Sequence, residues 1–126
     1  MNFVKNLVPL GINLYETNGA SLLPFKDNEF DIIINKHGSF NISELFRILK
    51  TGGIFITQQV GTENDKELIE LLLPKTELSF PDLYLKNISK KFRETGFKIL
   101  QEQEAFCLIK FYDIGALVWY AHIIEM

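Results

Sequence analysis

Short apolar runs alternate with polar segments along this chain, and their spacing predicts its helices and strands. In residues 2–8, four apolar side chains share one helical stripe: Phe3, Val4, Leu7 and Val8. Pro9 and Gly11 follow this stripe, so a helix is expected to end there. Residues 12–17 (INLYET) then predict a short strand.

The strongest strand signals are two runs rich in isoleucine. Residues 30–35 (FDIIIN) contain three consecutive isoleucines, which is typical of a strand covered on both faces in a parallel sheet. Residues 52–60 (GGIFITQQV) predict a second buried strand. Between the two runs, residues 41–50 (NISELFRILK) have helical spacing, with Asn41 or Ser43 as the cap. Together these segments predict a βαβ unit.

Three more helices and one more strand are expected in the second half of the chain. Residues 64–73 (NDKELIELLL) begin with the spacing of a capping box, and residues 82–95 place apolar side chains on one face before Gly96. Residues 97–111 (FKILQEQEAFCLIKF) predict a long strand, and residues 114–124 (IGALVWYAHII) predict a final helix. Alternating strands and helices with short connections predict an open α/β sheet of mostly parallel strands flanked by helices.

Composition and charge narrow the classes of function. A chain of 126 residues with 47% apolar content and no linker-like segment is expected to form a single domain over residues 1–126. Its formal charge of −3 is not gathered into blocks, so no nucleic-acid partner is expected. No apolar stretch is long enough to span a bilayer and no secretory signal is present, so we expect a cytoplasmic protein without a membrane partner. The lone Cys107 and the two distant histidines predict neither a disulfide framework nor a metal site.

Polar residues follow three of the predicted strands. The strand ends are residues 17–19 (TNG), 35–38 (NKHG) and 57–61 (TQQVG). In open α/β sheets, ligands bind beyond the carboxyl ends of parallel strands. All three ends offer small or hydrogen-bonding groups, so the sequence predicts a binding site there.

Two segments carry a more specific pattern. Residues 23–37 (LPFKDNEFDIIINKH) combine LPF with D-x-x-F-D at a strand start, and residues 44–57 (ELFRILKTGGIFIT) combine E-x-x-R-x-L-K with a glycine pair. Over residues 16–57 the chain resembles the second half of the class I S-adenosylmethionine-dependent methyltransferases, the methyltransferase type 11 group in particular. Thr51 stands where that family commonly has proline. The resemblance implies a partial Rossmann-like methyltransferase sheet and methyl transfer to an unidentified, small acceptor.

The resemblance also implies a site for S-adenosylmethionine and a small-molecule substrate. The implied cofactor-binding residues are Asn18, Gly19, Asn35 and Lys36. His37 is the implied catalytic residue, as a general base near neutral pH. The implied substrate-binding residues are Gln58, Gln59 and Tyr112. These roles have structural alternatives. Residues 18–19 are also typical of a turn, and a histidine at position 37 is also typical of an exposed loop. The alternative for Gln58 and Gln59 is hydrogen bonding at a strand end, and the alternative for Tyr112 is an aromatic in the core or an interface.

One departure from the family bears on activity. None of the eight glycines forms a G-x-G, whereas the family's glycine-rich cofactor loop follows a first strand that would lie upstream of Met1. We therefore expect a truncated domain whose methyl transfer is impaired. We also expect a homodimer, in which exchanged strands complete the sheet. The alternative to strand exchange is direct pairing of residues 12–17 with residues 30–35, which correspond to the third and fourth strands of the family. The alternative is a catalytically inactive α/β module that acts by self-association or partner binding.

Overall fold

A computed structural model describes residues 6–18, 21–72, 75 and 81–125 of the chain. Over these ranges the protein is mixed α/β, with four α-helices and one two-stranded parallel sheet. The chain packs as two compact units, residues 1–57 and residues 58–126. The single domain over residues 1–126 stays a prediction, because two compact units can belong to one domain.

The first described residues are helical, as their apolar stripe predicts. Residues 6–7 are helical, and a 3₁₀ helix follows over Val8–Leu10. Gly11 then adopts a φ of 76°, and its N–H donates to the carbonyl of Val8. A left-handed residue directly after a helix favours glycine, so Gly11 ends this element. The predicted residues 2–5 of the helix lie outside the described ranges.

A βαβ unit follows in the first unit, in agreement with the sequence pattern. It consists of β1 (Phe30–Lys36), α1 (Ile42–Ile48) and β2 (Leu49–Gln58). The side chain of Asn41 accepts a hydrogen bond of 3.2 Å from the backbone N–H of Glu44, which confirms Asn41 as the cap of α1.

The two strands of this unit run parallel. Asn35 lies beside Thr57, and Asp31 lies beside Gly53. Both pairs have the same offset along the chain, 22 positions. A constant offset means that position along β1 and position along β2 increase together, which is the register of a parallel pair.

The sheet is covered on one face only, so the prediction of strands buried on both faces is wrong. Half-buried residues alternate along one face: Ile33, Asn35, Gly53, Phe55 and Thr57. The isoleucines of the opposite face are exposed by 42–74%: Ile32, Ile34, Ile54 and Ile56. The isoleucine runs therefore reflect strand propensity more than burial, since β-branched residues favour strands even at half-exposed positions.

The core of the first unit lies against α1 and the start of β2. Leu45, Ile48 and Leu49 are buried there. The ring of Phe25 lies edge-on to two other rings, Tyr15 at 5.0 Å and Phe30 at 4.8 Å between centroids. These edge-to-face contacts attach the segment before β1 to the sheet.

Two predicted strands are not formed. The structure assigns no strand to residues 12–17 or to residues 97–111, and within the described ranges the sheet contains β1 and β2 alone. A segment of high β-propensity becomes a strand only when a neighbour accepts and donates its backbone hydrogen bonds. The described residues do not provide that neighbour, so the extended Rossmann-like sheet remains a proposal.

The described residues of the second unit form three helices, which the sequence predicted. They are α2 (Lys66–Leu72), α3 (Leu85–Thr95) and α4 (Ile114–Glu125). Gly96, with a φ of 118°, ends α3 as expected, and Asp113 caps α4 by accepting a 2.7 Å hydrogen bond from the N–H of Ala116. α3 buries Phe92 and Ser89, and α2 is in contact with α4.

Candidate functional site

The end of β1 carries the central residues of the predicted site. Asn35 is half-buried, and its Oδ1 accepts a 3.2 Å hydrogen bond from the hydroxyl of Thr57 on β2. A Cβ on Gly38 would lie 2.9 Å from Nδ2 of Asn35. The side-chain amide of Asn35 therefore packs against Gly38, where a larger residue would come too close. Asn35 therefore joins the two strand ends, which is a structural role. Its contact with a ligand stays a prediction.

Lys36 and His37 are exposed at the same strand end. Lys36 is the last residue of β1, and His37 follows it with a φ of 57°. Few residues other than glycine adopt this left-handed conformation, although histidine is among the more tolerant ones. The turn directs the chain out of the sheet and leaves an ammonium and an imidazole in solvent. This pair offers a cation and a proton acceptor to an anionic or weakly acidic ligand.

Asn18, one of the implied cofactor-binding residues, falls in a loop. Asn18 is exposed, and its carbonyl accepts two hydrogen bonds from Ser21, 2.9 Å from the N–H and 2.8 Å from the hydroxyl. Because residues 12–17 form no strand, Asn18 does not end one, contrary to the premise of the sequence argument. Gly19 lies outside the described residues.

The three predicted substrate residues belong to the second unit. Gln58 is the exposed last residue of β2, and Gln59 follows it half-buried. Tyr112 is 86% exposed, and the ammonium of Lys110 lies 5.1 Å from its ring centroid. The alternative of Tyr112 as a core aromatic is thereby removed, while its predicted substrate role stays a prediction.

A charged cluster centred on α1, not predicted as a functional feature, makes several hydrogen bonds to the loop before β1. Each of the five N–H donors of Arg47 has an acceptor. Its Nε and one Nη2 hydrogen hold the two carboxylate oxygens of Glu44 at 2.9 and 2.8 Å. The other three donors reach the carbonyls of Leu23 and Phe25 and the carboxylate of Asp27.

Glu44 completes this Glu44–Arg47 cluster from the other side. Its Oε2 also accepts a 2.8 Å hydrogen bond from the N–H of Leu23. The side chains of Glu44 and Arg47 are only 11% and 26% exposed. The hydrogen bond from Arg47, with that from Leu23, lowers the pKa of Glu44 from its ordinary value of 4.5 to about 2. The pKa of Arg47 is raised by the hydrogen bonds to Glu44 and Asp27.

Backbone hydrogen bonds attach the same loop to the end of α1. The N–H groups of Asn28 and Glu29 donate to the carbonyls of Arg47 and Ile48, at 2.9 and 2.8 Å. Carbonyls in the last turn of a helix have no partner inside the helix, so the loop satisfies two of them. The sequence signal for this arrangement is a Glu and an Arg three positions apart in a helix whose other residues, apart from Ser43, are apolar.

A second polar contact that the sequence did not reveal lies in the second unit. The hydroxyl of Tyr120 on α4 donates to Oδ2 of Asp65 at 2.8 Å, and the amide of Asn64 donates to the same oxygen at 2.7 Å. Asp65 has a φ of 57°, and its Oδ1 is buried without a hydrogen-bond partner among the described residues. Burial, with the neighbouring carboxylate, raises the pKa of Tyr120.

An open groove of about 430 Å³ also lies in the second unit, and none of the predicted site residues lines it. Its lining comes from the end of α3 and the segment after it: Arg93, Phe97, Lys98, Ile99, Leu100, Gln101 and Glu102. Arg93 and Glu102 form an ion pair across it at 3.3 Å. The hydrogen bond from Ser89 and the charge of Arg93 lower the pKa of Glu102.

Comparison with known proteins gives no relative. No family model matches the chain, and no curated protein or solved structure matches it. None of the helices in the described ranges has the length and apolar content needed to cross a membrane. Nor do those ranges gather three or more His, Cys, Asp or Glu side chains into a group that could hold a metal ion.

Proposed function

We propose that this chain is an S-adenosylmethionine-dependent methyltransferase-like protein that transfers a methyl group to a small acceptor, with impaired activity in the chain by itself. One observation carries the proposal. The two motif segments of the resemblance, LPFKD and ELFR, contact each other through Glu44 and Arg47. Their joint presence therefore has a physical reason, since the helix motif holds the loop that leads into β1.

Two exposed polar side chains, Lys36 at the end of β1 and Asn18 in the loop before it, suit parts of the proposed cofactor. The exposed ammonium of Lys36 suits the carboxylate of the methionine portion, and the amide oxygen of Asn18 suits the exocyclic amine of adenine. The amide oxygen of Asn35 accepts a hydrogen bond from the hydroxyl of Thr57, so Asn35 is held at the end of β1 beside Lys36. The chain contains no G-x-G to let the backbone approach the cofactor closely. We therefore expect weak binding.

Methyl transfer requires little from the protein except the correct positioning of the two reactants. A bound cofactor would supply a sulfonium methyl group, whose bond to sulfur breaks as the acceptor bonds to the methyl carbon, with S-adenosylhomocysteine as the leaving group. His37 would take the proton that the acceptor loses, which an imidazole does near neutral pH. Gln58, Gln59 and Tyr112 would hydrogen-bond or stack on the acceptor. A cytoplasmic location and a homodimer belong to the same proposal.

A second function from a different class is favoured by a specific observation. Four isoleucines of one sheet face are 42–74% exposed, and large contiguous apolar surface often marks an interaction site. The second proposal is a catalytically inactive α/β module that acts by self-association or partner binding. Cofactor binding separates the two functions, because the inactive module does not require it.

The test is a titration of the purified chain with S-adenosylhomocysteine and S-adenosylmethionine, by calorimetry and by thermal unfolding. Specific binding raises the unfolding temperature, by mass action worth about 2.7 kcal/mol at a ligand concentration 100 times Kd. Lys36→Ala should weaken binding, whereas Lys90→Ala on the exposed side of α3 serves as the matched control. No shift at millimolar ligand would leave the inactive module as the surviving proposal.

A further inference from the structure

The segment over residues 98–110, called the unpaired segment below, has no strand neighbour within the described ranges. The structure assigns no helix, strand, turn or bend to this segment, and its residues are exposed except for the half-buried Ile99. Among the described residues, no backbone hydrogen bond involves it. In an extended conformation, backbone N–H and C=O groups without partners are a template for another strand.

The far half of this segment carries apolar side chains in solvent. Phe106 is 72% exposed, Leu108 is 100% exposed, and Ile109 is 53% exposed. Since side chains alternate in an extended chain, Glu104, Phe106, Leu108 and Lys110 share one face. That face has an acidic residue at one end, two large apolar residues in the middle and a basic residue at the other end.

We infer that residues 104–110 pair with the same residues of a second copy of this chain, as antiparallel strands related by a two-fold axis through Cys107. In this register Phe106 of one copy lies opposite Leu108 of the other, and Glu104 lies opposite Lys110. Two-fold symmetry forms each pair twice. Opposite charges and apolar pairs directly across antiparallel strands stabilise the pairing.

Other registers fit this sequence less well. Moving the axis to Phe106 places Leu108 opposite the carboxylate of Glu104, and moving it to Glu104 places Lys98 opposite Lys110. Parallel pairing in register stacks Glu104 on Glu104 and Lys110 on Lys110, and like charges directly opposite are destabilising. The charge pattern therefore selects the antiparallel register about Cys107. Lys110 lies over the ring of Tyr112 in one chain and keeps its ammonium donors for Glu104.

This inference does not rest on the methyltransferase proposal, and charge exchange tests it directly. In sedimentation equilibrium the wild-type chain should dimerise in a concentration-dependent manner. Glu104→Lys and Lys110→Glu each place like charges opposite each other twice, and each should weaken the dimer on the order of tenfold. An equimolar mixture of the two variants restores both ion pairs across the strands and should dimerise as the wild type does. The double variant should do so as well.

The rescue by mixing keeps the test independent of folding. Glu104 and Lys110 are exposed, so circular dichroism should give the same unfolding temperature for the single variants as for the wild type at low concentration. A wild-type chain that stays monomeric up to its solubility limit overturns the inference. So does a dimer whose association is unchanged by the charge variants, because its interface then lies elsewhere.

Cys107 gives an independent readout of the register. Residues directly opposite in antiparallel strands have Cα atoms about 4.5 or 5.5 Å apart, within the range of a disulfide. Cys107 is exposed, so copper–phenanthroline oxidation should cross-link the wild-type dimer. The control Ala105→Cys/Cys107→Ser separates the two thiols by about 13 Å along the strands and should not cross-link. Equal cross-linking of both proteins would contradict the register.

Discussion

The guanidinium of Arg47 lies 2.8 Å from the main-chain carbonyl of Phe25, 22 positions earlier in the chain. The bond joins the last turn of α1 to the loop that leads into β1. A lysine at this position would keep the charge but could not reach the carbonyls of Leu23 and Phe25 and the carboxylate of Glu44 together, since only the guanidinium presents five donors in a fixed fork. The cluster therefore depends on arginine and not on charge alone.

The first prediction follows from this geometry. Arg47→Lys should lower the unfolding temperature by about 5 °C or more, because it leaves partly buried acceptors of the loop without donors. Lys50→Ala is the matched control, since the 3.1 Å ion pair of Lys50 with Asp31 is largely exposed and should contribute little. Thermal unfolding followed by circular dichroism checks both. An equal effect of the two variants would contradict a structural role specific to Arg47.

The second prediction concerns pH. The pKa of Glu44 is about 2 in the folded chain and near its ordinary value of 4.5 when unfolded. The unfolded state therefore binds the proton first as the pH falls, so the stability contributed by the carboxylate is fully present above about pH 4.5 and is lost between there and pH 2. Glu44→Gln should unfold at a lower temperature at pH 7 and show a smaller loss on acidification.

The control for this prediction is Glu70→Gln, because Glu70 is exposed on α2. It should reproduce the wild-type dependence of unfolding temperature on pH between 7 and 2.5. If Glu44→Gln and the wild type lose stability in parallel over that interval, the acid response comes from carboxylates other than Glu44.

Local signals in the sequence predicted elements that depend on local chemistry. Asn41 was correct as a helix cap, and Gly96 was correct as a helix end, because each acts on groups within about four residues. The predicted strands over residues 12–17 and 97–111 were wrong for the described structure. Strand propensity cannot specify whether a partner is present, since that partner lies far away in sequence or in another molecule.

In the candidate site, too, the features that depend on local sequence could be predicted and those that depend on distant contacts could not. The polar residues at the end of β1 could be named from their position after a strong strand signal, and the structure places Asn35, Lys36 and His37 there. The Glu44–Arg47 cluster joins positions about 20 residues apart, and spacing within a helix does not reveal which loop the helix contacts. The contact of Asp65 with Tyr120 spans 55 positions and has no local signal at all.

The third prediction tests the one-sided sheet. Ile33 is half-buried on the covered face, whereas Ile34 is 74% exposed on the opposite face. Ile33→Ala should cost about 1–2 kcal/mol of unfolding free energy, and Ile34→Ala should change it by less than about 0.5 kcal/mol. Urea unfolding measures both at the same pH. A larger cost for Ile34→Ala would mean that the isoleucine face is covered in solution.

The fourth prediction concerns the second unit. Tyr120→Phe removes a hydrogen bond to Asp65, whose other carboxylate oxygen is buried without a partner among the described residues, and should cost about 1 kcal/mol. Tyr112→Phe is the matched control, because Tyr112 is 86% exposed and should lose nothing measurable. Because the pKa of Tyr120 is raised in the folded chain, the stability that its hydroxyl contributes depends on pH. This stability is fully present below about pH 10 and is lost as the pH rises through the folded pKa.

The last prediction separates the two roles of His37. Its φ of 57° suits asparagine as well as histidine, so His37→Asn should leave the unfolding temperature unchanged, whereas His37→Val should cost about 1–2 kcal/mol through left-handed strain. Under the proposed function, His37→Asn should also slow formation of S-adenosylhomocysteine by about 100-fold, because asparagine cannot accept the proton. Unchanged turnover in His37→Asn, with loss of stability in His37→Val, would assign His37 to the turn alone.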